Sequence, residues 1–161
     1  MRTIHWLFGV GALLFVFGIG FVVVGARAAR EAPAPAASTP LAPVASVKQI
    51  MNGIVVPAST RVYDSVSTTV TEKGVEEIVP KDDQEWTAVG DSAAALAEAG
   101  NLLMMDGRAV DRGEWITITQ AMIAASQATL AAVDAKSPEA VLKAGSDLNT
   151  TCDNCHMRYQ R

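Results

Sequence analysis

Cysteine and histidine are scarce, two of each in 161 residues. A disulfide framework of the kind that staples small secreted domains needs more pairs. A structural zinc site takes about four side-chain ligands, and Cys152, Cys155, His156 and the distant His5 do not supply that set as one cluster. Basic excess is also missing, since the formal net charge is −4. An acidic chain cannot neutralise a phosphate backbone, so nucleic acid is excluded as a partner. Aromatic residues make up only 6 %. No sustained apolar–polar alternation appears, so no β-pattern competes with the helical periods below.

Long apolar stretches are present, and one dominates the amino terminus. After a short tail (1–3), residues Ile4 to Ala26 run for 23 residues without a formal charge. At 1.5 Å per residue this spans a bilayer core of about 30 Å. Ala26-Arg27-Ala28 resembles a signal-peptidase site, but a signal core usually holds only about 7–15 apolar residues. An uncleaved transmembrane anchor over 4–26 is therefore the expectation. Trp6 suits a membrane interface. Gly9, Gly11, Gly18, Gly20 and Gly25 leave room for a neighbouring helix.

Residues 27–43 carry Pro33, Pro35, Pro40 and Pro43 among alanines and small polar residues, which predicts a semi-extended tether. Charge divides unevenly about it: the N-terminal region is net +2 and the remainder net −6. The body, 44–161, reads as four helical stretches. The first runs from Val44 to Thr71 with Val47, Met51, Ile54, Ala58, Val62 and Val66 on one side and a break at Pro57. Gly74 stops it, and Glu72–Lys81 forms the longest loop. The second begins at an Asp82 or Asp83 cap and ends near Met105, with Trp86, Val89, Ala93, Leu96, Gly100 and Leu103 as its stripe. Asp106-Gly107 marks a turn. The third spans Gly113–Ala135 with Trp115, Ile118, Met122, Ala125, Thr129 and Ala132 inward. Ser137-Pro138 opens the fourth, whose stripe is Val141, Gly145, Leu148, Cys152, Cys155 and Tyr159. Short connections suit an all-α, up-down-up-down four-helix bundle.

The chemistry lies near the carboxyl terminus. Cys152-Asp153-Asn154-Cys155-His156 has the C-x-x-C-H spacing of c-type haem attachment. Two thiols at this spacing add to the two vinyl groups of one haem, and the adjoining imidazole offers a nitrogen to the iron as proximal ligand. On a helix these residues stand at i, i+3 and i+4 and project from one face. A disulfide, a thioredoxin-like pair and a zinc half-site are the alternatives. The flanks lack the βαβ pattern of the second, and the third lacks ligands.

A C-x-x-C-H at the end of the last of four amphipathic helices resembles the class II c-type cytochromes, the cytochrome c′ group and its six-coordinate relatives. The similarity covers roughly 44–161. It extends to bacterial cytochrome c′-like chains in Ile50-Met51, Pro57-Ala58-Ser59, Glu85-Trp86 and the run Glu98-Ala99-Gly100-Asn101-Leu102-Leu103-Met104-Met105 leading to Arg108. Many members continue His-x-x-Tyr-Arg, whereas here Tyr159 is followed by Gln160 and Arg161, displacing the arginine by one.

The resemblance implies one covalent haem c on Cys152 and Cys155, with His156 as proximal ligand. In six-coordinate members a first-helix methionine binds the iron, which points to Met51. Met104 and Met105 are competitors, Met122 is core, and Met157 adjoins the proximal histidine. Where that position is apolar the iron is five-coordinate and binds nitric oxide or carbon monoxide. Arg61, Arg108 and Arg158 are candidates for the haem propionates, and Trp86 and Trp115 for the haem edge. The acidic run Glu72–Glu85 would meet a basic redox partner, or serve simply as a solvated loop and helix start. The implied role is a one-electron carrier rather than an enzyme, since no distal histidine is present. Many members pair as homodimers. Haem attachment outside the cytoplasmic membrane of bacteria would put the body in the periplasm.

Overall fold

The uncharged run forms one helix, α1 (Arg2–Glu31). The computed structural model describes residues 2–31 and 42–160, in two units, Met1–Pro40 and Leu41–Arg161. The stretch His5–Arg27, 23 residues, is long and apolar enough to cross a membrane, and its side chains are exposed. The helix does not stop at Ala26 as expected. Arg27, Ala28, Ala29, Arg30 and Glu31 all favour helix, and the first proline comes only at Pro33. Most of the predicted tether (32–41) lies outside the described residues, as do Met1 and Arg161.

The body is mostly helical with one small sheet. Its first segment comprises α2 (Val47–Ile50), a π-helical turn (Met51–Val55) and α3 (Val56–Ser65). Ser46 opens α2 with a capping box: Gln49 N–H donates to Ser46 Oγ at 3.2 Å, and Ser46 N–H donates to Gln49 Oε1 at 2.9 Å. The break expected at Pro57 appears one turn earlier, as the π turn. Proline offers no N–H to the Gly53 carbonyl and its ring crowds that oxygen. The ladder widens to accommodate this, and Val56 N–H donates to Met51 O, five residues back. The insertion rotates the buried face. Ile50 (2 % exposed) and Val55 (6 %), five apart, enter the core, while Val47, Met51 and Ile54 are only half-buried. Beyond the turn, Ala58, Val62 and Val66 are buried as predicted.

The first helix ends at Ser65, not Thr71, and the expected loop is a hairpin. β1 (Ser67–Thr71) pairs antiparallel with β2 (Gly74–Ile78), Val70 opposite Val75. Four successive β-branched residues, Thr68 to Thr71, are poor helix formers and good strand formers. Gly74 takes φ +131° at the turn, which side chains rarely adopt. Nearly all of the hairpin is exposed, so its sequence lacks the alternation that burial of one face would impose.

The remaining helices are α4 (Asp83–Leu103), α5 (Glu114–Asp134) and α6 (Pro138–Tyr159). Asp82 caps α4, accepting from Glu85 N–H at 2.9 Å, and Ser137 caps α6, accepting from Ala140 N–H at 3.3 Å. α4 packs extensively on α5 and α5 on α6, α3 packs on α4, and α3 meets α6 only over a short stretch. Small residues bring α4 and α5 close. Gly100 faces Ile123, and a methyl group there would overlap it. Ser126 and Thr129 are fully buried but satisfy their hydroxyls on Met122 O and Ala125 O, at 2.8 and 3.0 Å. Leu96 and Leu148 are wholly inaccessible, each contributing about 1.5–3 kcal/mol of burial. α5 too has the length and composition of a membrane span, yet Trp115, Met122, Ala132 and Val133 face the core.

Candidate functional site

Where the first segment and α6 part, a cleft of about 720 Å³ opens, a size that holds a cofactor. One wall is the first segment, with Met51, Val55, Val56 and Tyr63. The other is the last two turns of α6, with Cys152, Cys155, His156 and Tyr159. Leu103, Trp115, Ile118 and Met122 form the base. The helical spacing of the C-x-x-C-H residues thus turns all three toward one space. Cys152 and Cys155 are free thiols, each half-buried, and His156 is exposed at the rim. Burial pushes both thiols above the ordinary cysteine range; Cys152 adds to the effect on Cys155, while the neighbouring Tyr63 and Thr151 hydroxyls partly offset it at Cys152.

Met51 opens the π turn and lines the cleft from the side facing α6. Met122, expected only as core, is both buried and part of the cleft base. Met104, Met105 and Met157 do not line it. Arg108 is not brought to the cleft. Its Nε donates to Ala45 O at 2.8 Å, and another guanidinium nitrogen donates to Leu102 O at 3.0 Å, clasping the approach to α2 onto the end of α4. Arg61 lines a separate groove beside the hairpin, and Arg158 pairs with Glu114 at 2.8 Å. The cation on the cleft wall is Lys48. Sequence reasoning passed it over, although it precedes Met51 by three and so shares its side of the helix. Asn52, Ser59 and Tyr63 continue that polar edge at helical spacing.

Trp86 is buried away from the cleft, whereas Trp115 lines it. The Trp115 indole N–H donates to Leu103 O at 2.9 Å, and its ring meets Tyr159 edge-on at 5.0 Å. The Tyr159 hydroxyl donates to Asp111 Oδ2 at 2.5 Å; Asp111 Oδ1 accepts from Gly113 and Trp115 N–H, at 2.8 and 3.1 Å. One carboxylate therefore ties the start of α5 to the end of α6. These bonds, that from Tyr159 foremost, hold Asp111 below the usual carboxylate range, and the same bond pushes Tyr159 up to about 12.

At the other end Tyr63 Oη is buried without a hydrogen-bond partner. The Cys152 sulfur lies beside it without a formed hydrogen bond. Burial first, then Cys152 and Asp153, push this phenol well above its ordinary range. Among the described residues, no three His, Cys, Asp or Glu side chains gather as a metal cage. The cleft thus offers two thiols, an imidazole, two thioethers and one unsatisfied phenol within largely apolar walls. Comparison of the chain with known families, curated proteins and solved structures finds no match.

Proposed function

We propose that the chain is a membrane-anchored c-type cytochrome of the class II kind, carrying one covalent haem and passing single electrons to and from redox partner proteins. One observation carries this reading: the C-x-x-C-H of α6 lines a cleft whose facing wall presents Met51. The residues fit the group. Cys152 and Cys155 would hold it by thioethers, His156 would ligate from the α6 side and Met51 from the first segment. The unsatisfied Tyr63 hydroxyl is an atom that an occupied cleft could partner. Haem supplies the one-electron change at iron, and thioether ligation raises its potential. The chain's own work is to bind, orient and exclude water: Val55, Val56, Ile118 and Met122 form apolar walls, and Trp115 and Tyr159 brace the end of α6 that bears His156.

In this reading the first segment, α4, α5 and α6 form an up-down-up-down four-helix bundle. Supporting it are the successive packing of α3, α4, α5 and α6 and the return contact of α3 with α6. α1 would anchor the protein in the bacterial inner membrane, with the body on the periplasmic side, where haem is attached.

The test is a pyridine haemochrome assay and ferric and ferrous spectra of the full chain produced with a haem-attachment system. One covalent haem per chain is expected, and its absence overturns the reading. Met51→Ala should convert a low-spin ferric spectrum to high-spin and remove the near-infrared methionine band; an unchanged spectrum removes Met51 as ligand and directs attention to Met122. Rapid carbon monoxide binding without ligand displacement would favour a five-coordinate gas-binding protein over a carrier.

A further inference from the structure

Tyr63 closes one end of the cleft. Its ring rests on Gly145 of α6, where a Cβ would meet Tyr63 Cδ1 at 3.7 Å. Buried polar groups nearly always have a partner, yet this hydroxyl has none. Cys152 lies beside it and lines the same cleft. A thiol or thioether sulfur is a weak acceptor, and Cys152 brings one to the cleft that Tyr63 also lines. The other tyrosine of the cleft, Tyr159, gives its hydroxyl to Asp111 at 2.5 Å and so has none to offer Cys155.

We propose that Tyr63 is a positioning residue for thioether formation, its hydroxyl donating to the Cys152 sulfur and holding that sulfur toward the space a haem vinyl group enters. This rests on the haem reading above. In the step itself the Cys152 S–H bond and the vinyl π bond break. A C–S bond forms at the inner vinyl carbon, the hydrogen passes to the outer one, and no electrons are exchanged with another molecule. A donor fixed beside the sulfur stabilises negative charge developing there as the proton leaves, and a fixed orientation removes part of the entropic barrier. Tyr63 therefore governs one of the two thioethers.

The experiment uses the full chain produced with a haem-attachment system. Cys155→Ala leaves only Cys152 to react and Cys152→Ala only Cys155; each is compared with and without Tyr63→Phe, which keeps the ring on Gly145. Covalent haem per chain is read by intact mass. Loss of one ordinary hydrogen bond predicts attachment lowered about five-fold by Tyr63→Phe in the Cys155→Ala background, and no change in the Cys152→Ala background. Equal loss in both backgrounds, or none in the first, overturns the assignment. If the single-cysteine chains do not fold, Tyr63→Phe in the otherwise native chain should raise the product bound through Cys155 alone, read by peptide mass; an unchanged product ratio overturns it. The infrared S–H stretch of Cys152 in haem-free Cys155→Ala protein should also shift on Tyr63→Phe, and an unshifted band refutes the hydrogen bond. That measurement needs no haem, so it stands apart from a wild-type chain that carries none.

Discussion

Three helical glycines sit on buried faces, and the structure orders their tolerance of a methyl group. Glycine in a helix interior costs about 1 kcal/mol relative to alanine, so each Gly→Ala change starts with that gain. At Gly145 the methyl would meet Tyr63 at 3.7 Å and Val62 at 3.9 Å, ordinary contacts, and Gly145→Ala should stabilise by about 1 kcal/mol. At Gly90 the Val133 and Leu130 side chains stand at 3.4 and 3.6 Å, the close end of ordinary contact, so Gly90→Ala should stabilise no more than Gly145→Ala. At Gly100 the methyl would fall on Ile123 Cγ1, which belongs to a β-branched side chain with little rotamer freedom. Overpacking costs about 1–3 kcal/mol, so Gly100→Ala should destabilise by about 1–2 kcal/mol net. The assay is urea and thermal unfolding of the Leu41–Arg161 body, followed by circular dichroism. For a body this size 1 kcal/mol corresponds to roughly 4 °C in Tm. The reasoning fails if Gly100→Ala is tolerated as well as Gly145→Ala, or if Gly145→Ala destabilises.

Two further outcomes follow from the helix ends. Lys136 takes φ +46° just past α5, where its N–H donates to Val133 O and that of Ser137 to Ala132 O, a motif that favours glycine. Lys136→Gly should stabilise by up to about 1 kcal/mol, whereas Lys136→Ala, which loses the exposed Asp83 pair without relieving the backbone, should not; thermal melts separate the two. Asp111 is held below the usual carboxylate range, so its contribution to stability is complete above the unfolded value of about 3.9 and disappears as pH falls through the lower folded value. Unfolding measured between neutral pH and pH 2 should show this acid loss in the native chain, and Asp111→Asn should reduce it.

Helix α5, which starts after Gly113 without a side-chain cap, was legible from its stripe; α4 and α6 were legible because each has a capping side chain, an apolar stripe and a polar outer face that agree. Asp82, Ser137 and Pro138 mark their starts to within a residue. The first segment was less legible because its two departures have no periodic signature. The π turn follows from what Pro57 does to the carbonyl of Gly53, and a stripe drawn through Val47, Met51 and Ile54 presumes an unbroken helix, so Ile50 and Val55 were missed. The hairpin escaped notice because Val70, Val75 and Ile78 are exposed. At the site, the cysteines and His156 were evident from spacing alone. Arg108 was not, because the carbonyls that hold it belong to Leu102 and to Ala45, 63 residues away. Tyr63 was invisible for a similar reason, since its significance depends on Cys152 and Gly145, from the far end of the chain.

That separation has a kinetic consequence. α4, α5 and α6 assemble from neighbours in sequence, and such contacts form early. The seam between the first segment and α6 joins the most distant parts of the body, through Tyr63 and Gly145. Its loop-closure entropy must be met before any contact repays it, so it closes last. During synthesis the first segment emerges early and finds α4 to pack on, but its contact with α6 must wait until α6 is complete. The thiols of Cys152 and Cys155 thus pass through an interval in which their helix is formed and the facing wall is open. That interval ends when the seam closes and brings Tyr63 beside Cys152, so the cleft is complete only at the last step of folding.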